Sequence, residues 1–323
     1  MLSCPKVSVI MSIYNEPKSY IIDCFNSIIK QSLTEFEVIV ILDNPERQNE
    51  VEEVFVLLGD NRFNLIVNEN NVGLAESMNI AMSLASSDVL ARMDADDICY
   101  IDRLKVEYEY IQKGYDVVFS KYLRIDETGH LLSDQTIPFG NPTPQQIRKE
   151  LLFRNSYIHH PTVMMKKNAL LNVGGYRPFP CSQDFDLWLR MNEIGCTFYL
   201  CDQPLLYYRI NSSSISSTRW FQQRLTIFYI FRLSVERASK RYDSFSLESY
   251  YKYLNNNGLK SQRAQKRLKE SLEMHSEAIK LKKSGSKYLS LLIQIRALIH
   301  SRLLRNHYLN MVKKYIILLI NKR

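Results

Sequence analysis

The sequence predicts an α/β fold in which a mostly parallel, Rossmann-like sheet has helices on both faces and is followed by a basic α-helical region. Short apolar runs rich in β-branched residues alternate four times with amphipathic stretches, which is the pattern of a doubly wound sheet. A polar cluster follows each of the four runs. The charge then changes sign along the chain, which indicates two physically different parts.

The four apolar runs are short and continuous, so we expect them to be buried parallel strands. They are residues 7–14, 36–42, 63–67 and 88–93. Apolar residues at helical spacing predict helices after each of them. These helices are residues 18–31, 48–58, 74–85 and 101–113. Because parallel strands have their carboxyl ends at one edge, the four polar clusters are expected to line a single crevice there.

The pattern is less regular between residues 115 and 209. We expect strands at 115–120 and 159–165, an irregular hairpin at 121–144, and helices at 145–153 and 167–173. Ser182, Gln183 and Asp184 are expected to cap a helix over 185–194 that stops at Gly195. Residues 197–200 and 205–209 are expected to be two closing strands.

The net charge of +8 hides a strong asymmetry. From Arg219 onward there are 23 Lys and Arg residues against 6 Asp and Glu, a net charge of +17. The first 218 residues contain 19 basic and 28 acidic residues, a net charge of −9. Helices are expected at 221–238, 242–257, 260–283 and 288–320. We therefore expect one domain over 1–215 and a basic helical region over 216–323.

The last stretch, residues 311–323, combines apolar side chains with flanking cations. Basic amphipathic helices of this composition lie at anionic membrane surfaces, so we expect peripheral membrane contact beside a lipid-linked acceptor. The alternative is a helical cap whose Lys and Arg are only solvated. No apolar run approaches the about 20 residues that cross a bilayer. With no leader pattern and no paired Cys-x-x-Cys spacing, we expect reduced thiols and a cytoplasmic protein.

The fourth predicted strand ends in three acidic residues within four positions: Asp94, Asp96 and Asp97. Carboxylates side by side repel one another unless a cation or a hydrogen-bonding ligand compensates. Their hard oxygens suit Mn²⁺ or Mg²⁺, which in turn hold phosphate oxygens. We therefore expect Asp94 and Asp96 to hold a metal and a sugar nucleotide. The alternative is a solvated turn or the cap of the following helix.

Seven segments occur in an order that resembles the family 2 glycosyltransferases, which have a GT-A fold. They are residues 7–15, 38–43, 71–79, 93–97, 160–162, 174–176 and 183–190. The resemblance covers about residues 5–215. It implies inverting, metal-dependent transfer of a sugar from a nucleotide-diphosphate sugar, commonly a UDP-sugar, to a saccharide hydroxyl. It also implies a place in bacterial surface polysaccharide synthesis, such as O-antigen or capsule.

The resemblance also implies roles for particular residues. Eight would bind the nucleotide sugar: Tyr14, Glu16, Asp43, Asn71, Gly73, Asn79, Asp94 and Asp96. Asp96, Asp94 and Asn211 would hold Mn²⁺ or Mg²⁺, with Asn211 at a position where many members carry His. His160, Trp188 and Gln183 would contact the acceptor, although His160 and Trp188 could equally belong to the core.

Residue type and resemblance both favour Asp184 as the base that deprotonates the acceptor hydroxyl. Its alternative role is a helix cap, which is compatible with catalysis, and Asp186 is the second candidate for the base. Two other functions remain open. A nucleotidyltransferase would need a Gly-rich basic loop after the first strand, and residues 12–17 contain none. A nucleic-acid-binding protein could use the basic tail, but its apolar runs suit lipid better, so we expect no nucleic-acid partner.

Overall fold

The computed structural model describes residues 4–132, 140–153, 158–210 and 219–320. The chain divides into two compact units, Met1–Ser214 and Ile215–Arg323. The first unit contains the sheet and the second is helical.

Eight strands form one mixed sheet in the described part of the first unit. They are β1 (Val7–Ile13), β2 (Phe36–Leu42), β3 (Phe63–Val67), β4 (Val89–Arg92), β5 (Ile98–Cys99), β6 (Val117–Ile125), β7 (Val163–Lys166) and β8 (Phe198–Arg209). Their order across the sheet is β3-β2-β1-β4-β7-β6-β8-β5. The first four are mutually parallel, so their carboxyl ends lie at one edge as predicted. Strand β7 is antiparallel to both of its neighbours, which makes the second half of the sheet mixed.

Seven α-helices in the described part of the first unit lie in two layers. They are α1 (Lys18–Ile29), α2 (Gln48–Leu58), α3 (Leu74–Leu84), α4 (Arg103–Gln112), α5 (Pro144–Leu151), α6 (Lys167–Leu171) and α7 (Gln183–Glu193). Helices α1, α2 and α4 pack on one hydrophobic cluster, and α3, α5, α6 and α7 on the other. Strand β1 supplies both clusters, with Val9 and Met11 in the first and Ile10 in the second. This alternation is why a central strand is apolar along its whole length, and the predicted α/β fold is confirmed.

Three local predictions in the second half of the sheet were wrong. The segment at 159–165 begins as a 3₁₀ turn, His160–Thr162, with Pro161 at its first position, and only then becomes β7. Strand β6 runs on to Ile125 beyond its predicted end. The two predicted closing strands are one continuous strand, β8. The register between β6 and β8 shifts on both sides of Lys121, which accommodates the residues between the two predicted strands.

The second unit contains five helices in its described residues. They are α8 (Trp220–Lys240), α9 (Leu247–Asn256), α10 (Gln262–Lys283), α11 (Lys287–His300) and α12 (Arg302–Ile320). The single helix predicted over 288–320 is broken at Ser301, whose backbone is extended and whose hydroxyl accepts a hydrogen bond from the Leu304 N–H. Across the described residues, every helix is too short or too polar to cross a bilayer.

Candidate active site

The carboxyl ends of β1, β2 and β4 bring five of the predicted donor-binding residues to one edge of the sheet. Tyr14 and Glu16 follow β1, Asp43 follows β2, and Asp94 and Asp96 follow β4. The N–H of Met93 donates to the carbonyl of Ile10, so the β1–β4 pairing continues up to the acidic residues. The parallel pairing therefore places these residues at one edge of the sheet, as the sequence predicted.

Three carboxylates cluster just beyond β4. Asp94, Asp96 and Asp97 each offer one oxygen, and these oxygens all lie within 4.8 Å of one another. Burial, and after it repulsion from the neighbouring carboxylates, raises the pKa of Asp96 to about 7 and that of Asp97 well above its usual value. Asp97 Oδ2 is buried and has no hydrogen-bond partner among the described residues. Crowded, partly unpaired hard oxygens fit a divalent cation, so Asp97 is a further candidate ligand beside Asp94 and Asp96, two of the three predicted from the sequence.

A buried arginine lies beside this cluster. Arg92, at the end of β4, is 2% exposed, and its Nη1 forms an ion pair with Asp94 Oδ2. Its positive charge opposes the rise in the pKa of Asp184 and adds to the fall in the pKa of His160. Sequence reasoning counted Arg92 only as part of an apolar run. A lone cation inside such a run was the signal that could have identified it.

A second buried ion pair, Arg103 with Glu107, holds the backbone of Arg92. Arg103 Nη2 on α4 donates to the Arg92 carbonyl over 2.7 Å. Arg103 also pairs with Glu107 one turn later, with 3.2 Å between Nε and Oε2, and both side chains are buried. These charged contacts therefore fix the end of β4. A functional site needs such support to keep its side chains in place.

Arg209, the last residue of β8, anchors the other side of the acidic cluster. Its backbone N–H donates to Asp97 Oδ1 over 2.9 Å, and its Nε donates to the Asp96 carbonyl over 2.9 Å. Its guanidinium also lies over the ring of Tyr20, 4.2 Å from the centroid. Arg209 thus fixes the backbone on which the carboxylates stand. Asn211, the predicted neutral metal ligand two residues later, lies outside the described residues.

Asp184 lies in the first turn of α7. The helix begins at Gln183, and Ser182 before it takes a left-handed conformation (φ 59°) without a side-chain cap. Asp184 is therefore not the N-cap residue, although its carboxylate accepts a hydrogen bond from the Phe185 N–H in the first turn. Burial raises the pKa of Asp184; the charge of Arg92 opposes this rise and the charge of Asp94 adds to it. These effects place Asp184 in the same electrostatic neighbourhood as Arg92 and Asp94.

Asp186 is engaged elsewhere, which removes it as the second candidate for the base. Its Oδ2 accepts a hydrogen bond from Arg190 Nε over 2.7 Å, and its Oδ1 lies 3.7 Å from Arg177 Nη1. Arg190 in turn donates to the carbonyls of Val173 and Gly175. Asp186 is fully buried and holds this arginine against the loop before α7.

The predicted acceptor residues His160 and Trp188 lie together with Tyr176. His160 Nε2 is 2.8 Å from the Tyr176 hydroxyl, and the His160 ring centroid is 6.0 Å from that of Trp188. Burial, and after it the charge of Arg92, keeps the pKa of His160 well below its usual value, so the ring is neutral. Trp188 packs in the core, yet its buried Nε1 has no hydrogen-bond partner among the described residues. Gln183 is buried at the start of the same helix.

Asp43 organises the loop that follows β3. Its Oδ1 accepts from Asn68 Nδ2 over 2.8 Å and from the Val72 N–H over 2.9 Å, and its Oδ2 accepts from the Gly73 N–H over 2.8 Å. Gly73 has φ 84°, a conformation that L side chains rarely adopt. Asn71 is exposed on this loop. Asp43, Asn71 and Gly73 therefore form one unit at the edge of the crevice.

Asn79 has a different role from the predicted contact with base and ribose. Its Nδ2 donates to the Tyr176 carbonyl over 3.0 Å, and its Oδ1 accepts from the Tyr176 N–H over 2.8 Å. Both ends of the amide are therefore used to hold the turn at 174–176. This corrects the sequence-based expectation, which could not foresee a partner 97 residues away.

The loop after β1 is held by an arginine that the sequence analysis missed. Arg47 donates to the carbonyls of Tyr14 and Glu16 over 3.1 and 2.8 Å. The Tyr14 N–H donates to Glu16 Oε2 over 2.7 Å, while the Tyr14 ring is 44% exposed and open to a ligand. Burial raises the pKa of Glu16, and Asp94 adds to the rise. Glu16 thus belongs to the same negative environment as the acidic cluster.

Comparison with known proteins identifies the family. Residues 8–174 match the family described as Glycosyl transferase family 2. The O-antigen biosynthesis glycosyltransferase WbnJ of Escherichia coli is 33% identical over 215 residues, which cover 64% of this chain and 81% of that protein. The UDP-Gal:alpha-D-GlcNAc-diphosphoundecaprenol beta-1,3-galactosyltransferase of Escherichia coli is 28% identical over 224 residues, or 65% of this chain and 76% of that protein.

Among solved structures, S. aureus TarS 1-349 in complex with UDP-GlcNAc has the same fold. The TM-score is 0.61 at 18% identity, and the match covers 97% of this chain and 90% of that one. The fold, the acidic edge of the sheet and the extent of the family match agree with one another. The chain is a member of glycosyl transferase family 2, and it is a glycosyltransferase.

Proposed function

We propose that this enzyme transfers a sugar from a UDP-sugar, with inversion and with the help of Mn²⁺ or Mg²⁺, to a hydroxyl of a saccharide acceptor. The observation that carries the proposal is the shared environment of Asp184 with Arg92 and Asp94, next to three carboxylates whose oxygens lie within 4.8 Å of one another. One crevice thus offers a cation site for a diphosphate and, separately, a base for an alcohol. The same crevice does not suit a nucleotidyltransferase, because the loop after β1 lacks glycine.

The donor is assigned from the chemistry of the edge together with the names of relatives. Tyr14, Asp43, Asn71 and Gly73 form the part of the edge that would take the base and ribose, with Asp94 reaching the ribose or the donor sugar. One relative is named for UDP-Gal and one structural neighbour was solved with UDP-GlcNAc, which supports uracil as the base. Asp94, Asp96 and Asp97 would hold the metal; when bound, it neutralises the negative charge that develops on the departing diphosphate.

Asp184 takes the proton from the attacking hydroxyl. A carboxylate of raised pKa is a better proton acceptor than an ordinary Asp, and the hydrogen bond from the Phe185 N–H and then the charge of Arg92 oppose the effect of burial and favour the ionised form. Attack from the side of Asp184, opposite the departing diphosphate, inverts the anomeric centre. Gln183, His160 and Trp188 would position the acceptor; the neutral His160 and the unpaired Trp188 N–H can hydrogen-bond sugar hydroxyls.

A donor panel tests this proposal. Purified enzyme is incubated with each UDP-sugar and a saccharide acceptor, with Mn²⁺ or EDTA, and release of UDP is measured. We expect metal-dependent release that Asp96→Ala and Asp184→Ala abolish. Asp88→Ala is the matched control, because Asp88 is exposed at the opposite end of β4. Undiminished, metal-dependent turnover by Asp96→Ala would show that the metal site is wrongly placed.

We further propose that the acceptor is lipid-linked, within surface polysaccharide synthesis such as O-antigen, and that the second unit contacts the cytoplasmic face of an anionic membrane. Exposed apolar residues recur at helical spacing on α11 (Tyr288, Leu292, Ile295, Ile299) and α12 (Val312, Ile316, Leu319, Ile320). Exposed cations flank them, including Lys287, Arg296 and Lys313. Apolar and basic residues together fit anionic lipid, and one relative is named for a diphosphoundecaprenol acceptor.

Vesicle flotation tests the membrane contact. We expect the protein to float with phosphatidylglycerol vesicles and not with phosphatidylcholine vesicles. The double variant Leu292→Glu/Ile295→Glu should remain in the soluble fraction. Leu57→Glu is the control, because Leu57 is also an exposed leucine and lies on α2 of the first unit. Equal flotation of the double variant and the control would argue against this surface.

A further inference from the structure

The second unit contains a polar cavity of about 400 Å³ between α8, α9 and α12. Its walls include Phe228 and Arg232 from α8, Lys252 and Tyr253 from α9, and Asn306 and His307 from α12. This volume is within the range of small-molecule sites, about 300 to 1,000 Å³. Every lining residue belongs to the second unit, so the cavity is separate from the acidic edge of the first unit.

The cavity is positively charged. Arg232 and Lys252 line it, and among the described residues no Asp or Glu does so. Arg232 forms an ion pair with Glu236, with 3.5 Å between Nε and Oε1, and its Nε makes no hydrogen bond. Arg224 adds a further charge close to His307, and burial lowers the pKa of Arg224. Lys252 has no ion-pair or hydrogen-bond partner within the described residues 219–320, so its ammonium is available to an anion.

The walls also contain hydrogen-bonding groups without a partner. Arg232 Nε and His307 Nδ1 are buried and have no hydrogen-bond partner in the described part of the chain. Burial, and after it the charge of Arg224, lowers the pKa of His307 to about 4, so its imidazole is neutral at pH 7. Buried polar atoms without partners are uncommon in folded proteins. Both atoms belong to residues that line the cavity, beside the cations described above.

Aromatic faces complete the cavity. His307 stacks on Phe228 with 4.4 Å between ring centroids, which fixes the orientation of its imidazole. The Arg232 guanidinium lies 5.6 Å from the ring centroid of Tyr253 and 5.2 Å from that of Tyr229, so it too is held in place. Cations and unpaired donors at a rigid aromatic wall would recognise an anion, and the amide of Asn306 would recognise neighbouring hydroxyls.

We propose that this cavity is a binding site for a phosphorylated sugar ring, with Lys252 and Arg232 on the phosphate and Asn306 and His307 on the hydroxyls. The ligand is either a free sugar phosphate or the headgroup of a lipid with the same chemistry. The proposal does not depend on the donor, metal or base assignments of the first unit, because no residue of that unit lines the cavity.

Calorimetric titration of the full chain with glucose 1-phosphate, glucose and inorganic phosphate tests the proposal. The buffer contains EDTA, so that a metal bound in the first unit cannot recruit phosphate. We expect glucose 1-phosphate to bind more tightly than glucose or phosphate. Lys252→Gln and Asn306→Ala should each weaken binding by at least about fivefold, because each removes a contact to the ligand from an exposed residue that supports no core packing. Lys260→Gln, an exposed lysine outside the cavity, should bind as the wild type does.

A second arm of the experiment tests a lipid ligand: binding of the protein to vesicles containing phosphatidylinositol is compared with binding to vesicles of pure phosphatidylcholine. Binding that depends on Lys252 in either arm supports the site, and the arm in which it occurs identifies the source of the ligand. Asp96→Ala should retain the binding of the wild type. The proposal is overturned if neither arm shows binding, if Lys252→Gln and Asn306→Ala bind as the wild type does, or if Asp96→Ala abolishes binding.

Discussion

The guanidinium of Arg92 is paired with the carboxylate of Asp94, although Arg92 is almost fully buried and Asp94 stands at the edge of the crevice. A buried cation thus lies behind a cluster of three carboxylates that would otherwise repel one another. The charge of the same cation also opposes the rise in the pKa of Asp184. Arg92 therefore links the proposed metal site to the proposed base, and it competes with a bound metal for Asp94.

Replacing Arg92 by methionine should reveal its effect on the carboxylate cluster and its effect on Asp184 as two separate changes. Without the guanidinium the carboxylates are more negative, so we expect the apparent affinity for Mn²⁺ to rise. The pKa of Asp184 should rise as well, because the charge that opposes the effect of burial is gone. The acidic limb of the rate profile should then move to higher pH. Metal titrations and pH–rate profiles measure the two shifts, and Arg92→Lys should reduce both. An unmoved acidic limb would show that Arg92 does not act on the base.

Most of the first half of the fold was readable from the sequence because each buried strand is an uninterrupted apolar run that ends in polar residues. The positions of Asp94, Asp96 and Asp43 at one edge follow from that pattern and from parallel pairing. The sequence does not reveal contacts between distant segments. Asn79 binds the backbone of Tyr176, and Arg103 holds the carbonyl of Arg92 through a tertiary contact that no local spacing encodes.

The errors at the helix boundaries have local causes. Helix α7 was expected to be capped by side chains, but Ser182 enters it through a left-handed conformation that depends on how the preceding loop packs. The tail appeared to be one long helix because the apolar spacing continues through Ser301. The break there comes from the extended backbone of Ser301. Serine has an ordinary helix propensity, so the sequence does not predict the break.

Asp184→Asn should abolish transfer without destabilising the protein. Loss of a base typically costs about 10²- to 10⁴-fold in rate. Since burial raises the pKa of Asp184 in the folded state, its ionised form opposes folding, and this cost grows as the pH rises through the folded pKa. The neutral amide removes the cost, so Tm at neutral pH should be equal or higher, and the difference should disappear at acidic pH. Thermal unfolding at several pH values measures this, and a lower Tm at neutral pH would contradict it.

Divalent cations should stabilise the wild type through the acidic cluster. Burial and mutual repulsion hold the pKa values of Asp96 and Asp97 high, so a bound cation displaces protons and relieves the repulsion. At 100 times its dissociation constant, Mn²⁺ should add about 2.7 kcal/mol to the free energy of unfolding. Asp96→Ala should lose this increment and Asp88→Ala should keep it. The apparent affinity should fall as the pH is lowered, because protons compete for the same oxygens.

Asp186 should prove structural where Asp184 is catalytic. Asp186→Asn leaves Arg190 buried beside a neutral amide, and breaking a buried pair by removing one partner costs about 3–5 kcal/mol. We expect a large drop in the denaturation midpoint and, in the folded fraction, turnover close to that of the wild type. The double variant Asp186→Leu/Arg190→Met removes both charges and should recover part of the loss. A stable Asp186→Asn protein without activity would restore Asp186 as a candidate base.

Gly174 and Gly175 provide a matched pair for testing the contact between Asn79 and Tyr176. Both have a left-handed backbone, with φ 74° and 72°, so alanine at either position carries the same conformational strain of about 1–3 kcal/mol. A Cβ at Gly175 would lie 2.7 Å from Asn79 Oδ1, whereas one at Gly174 would have no atom within 4 Å. Gly175→Ala should therefore destabilise the protein more than Gly174→Ala, as measured by denaturant unfolding. In an Asn79→Ala background the two substitutions should cost the same, because the oxygen that the new methyl group would meet is gone.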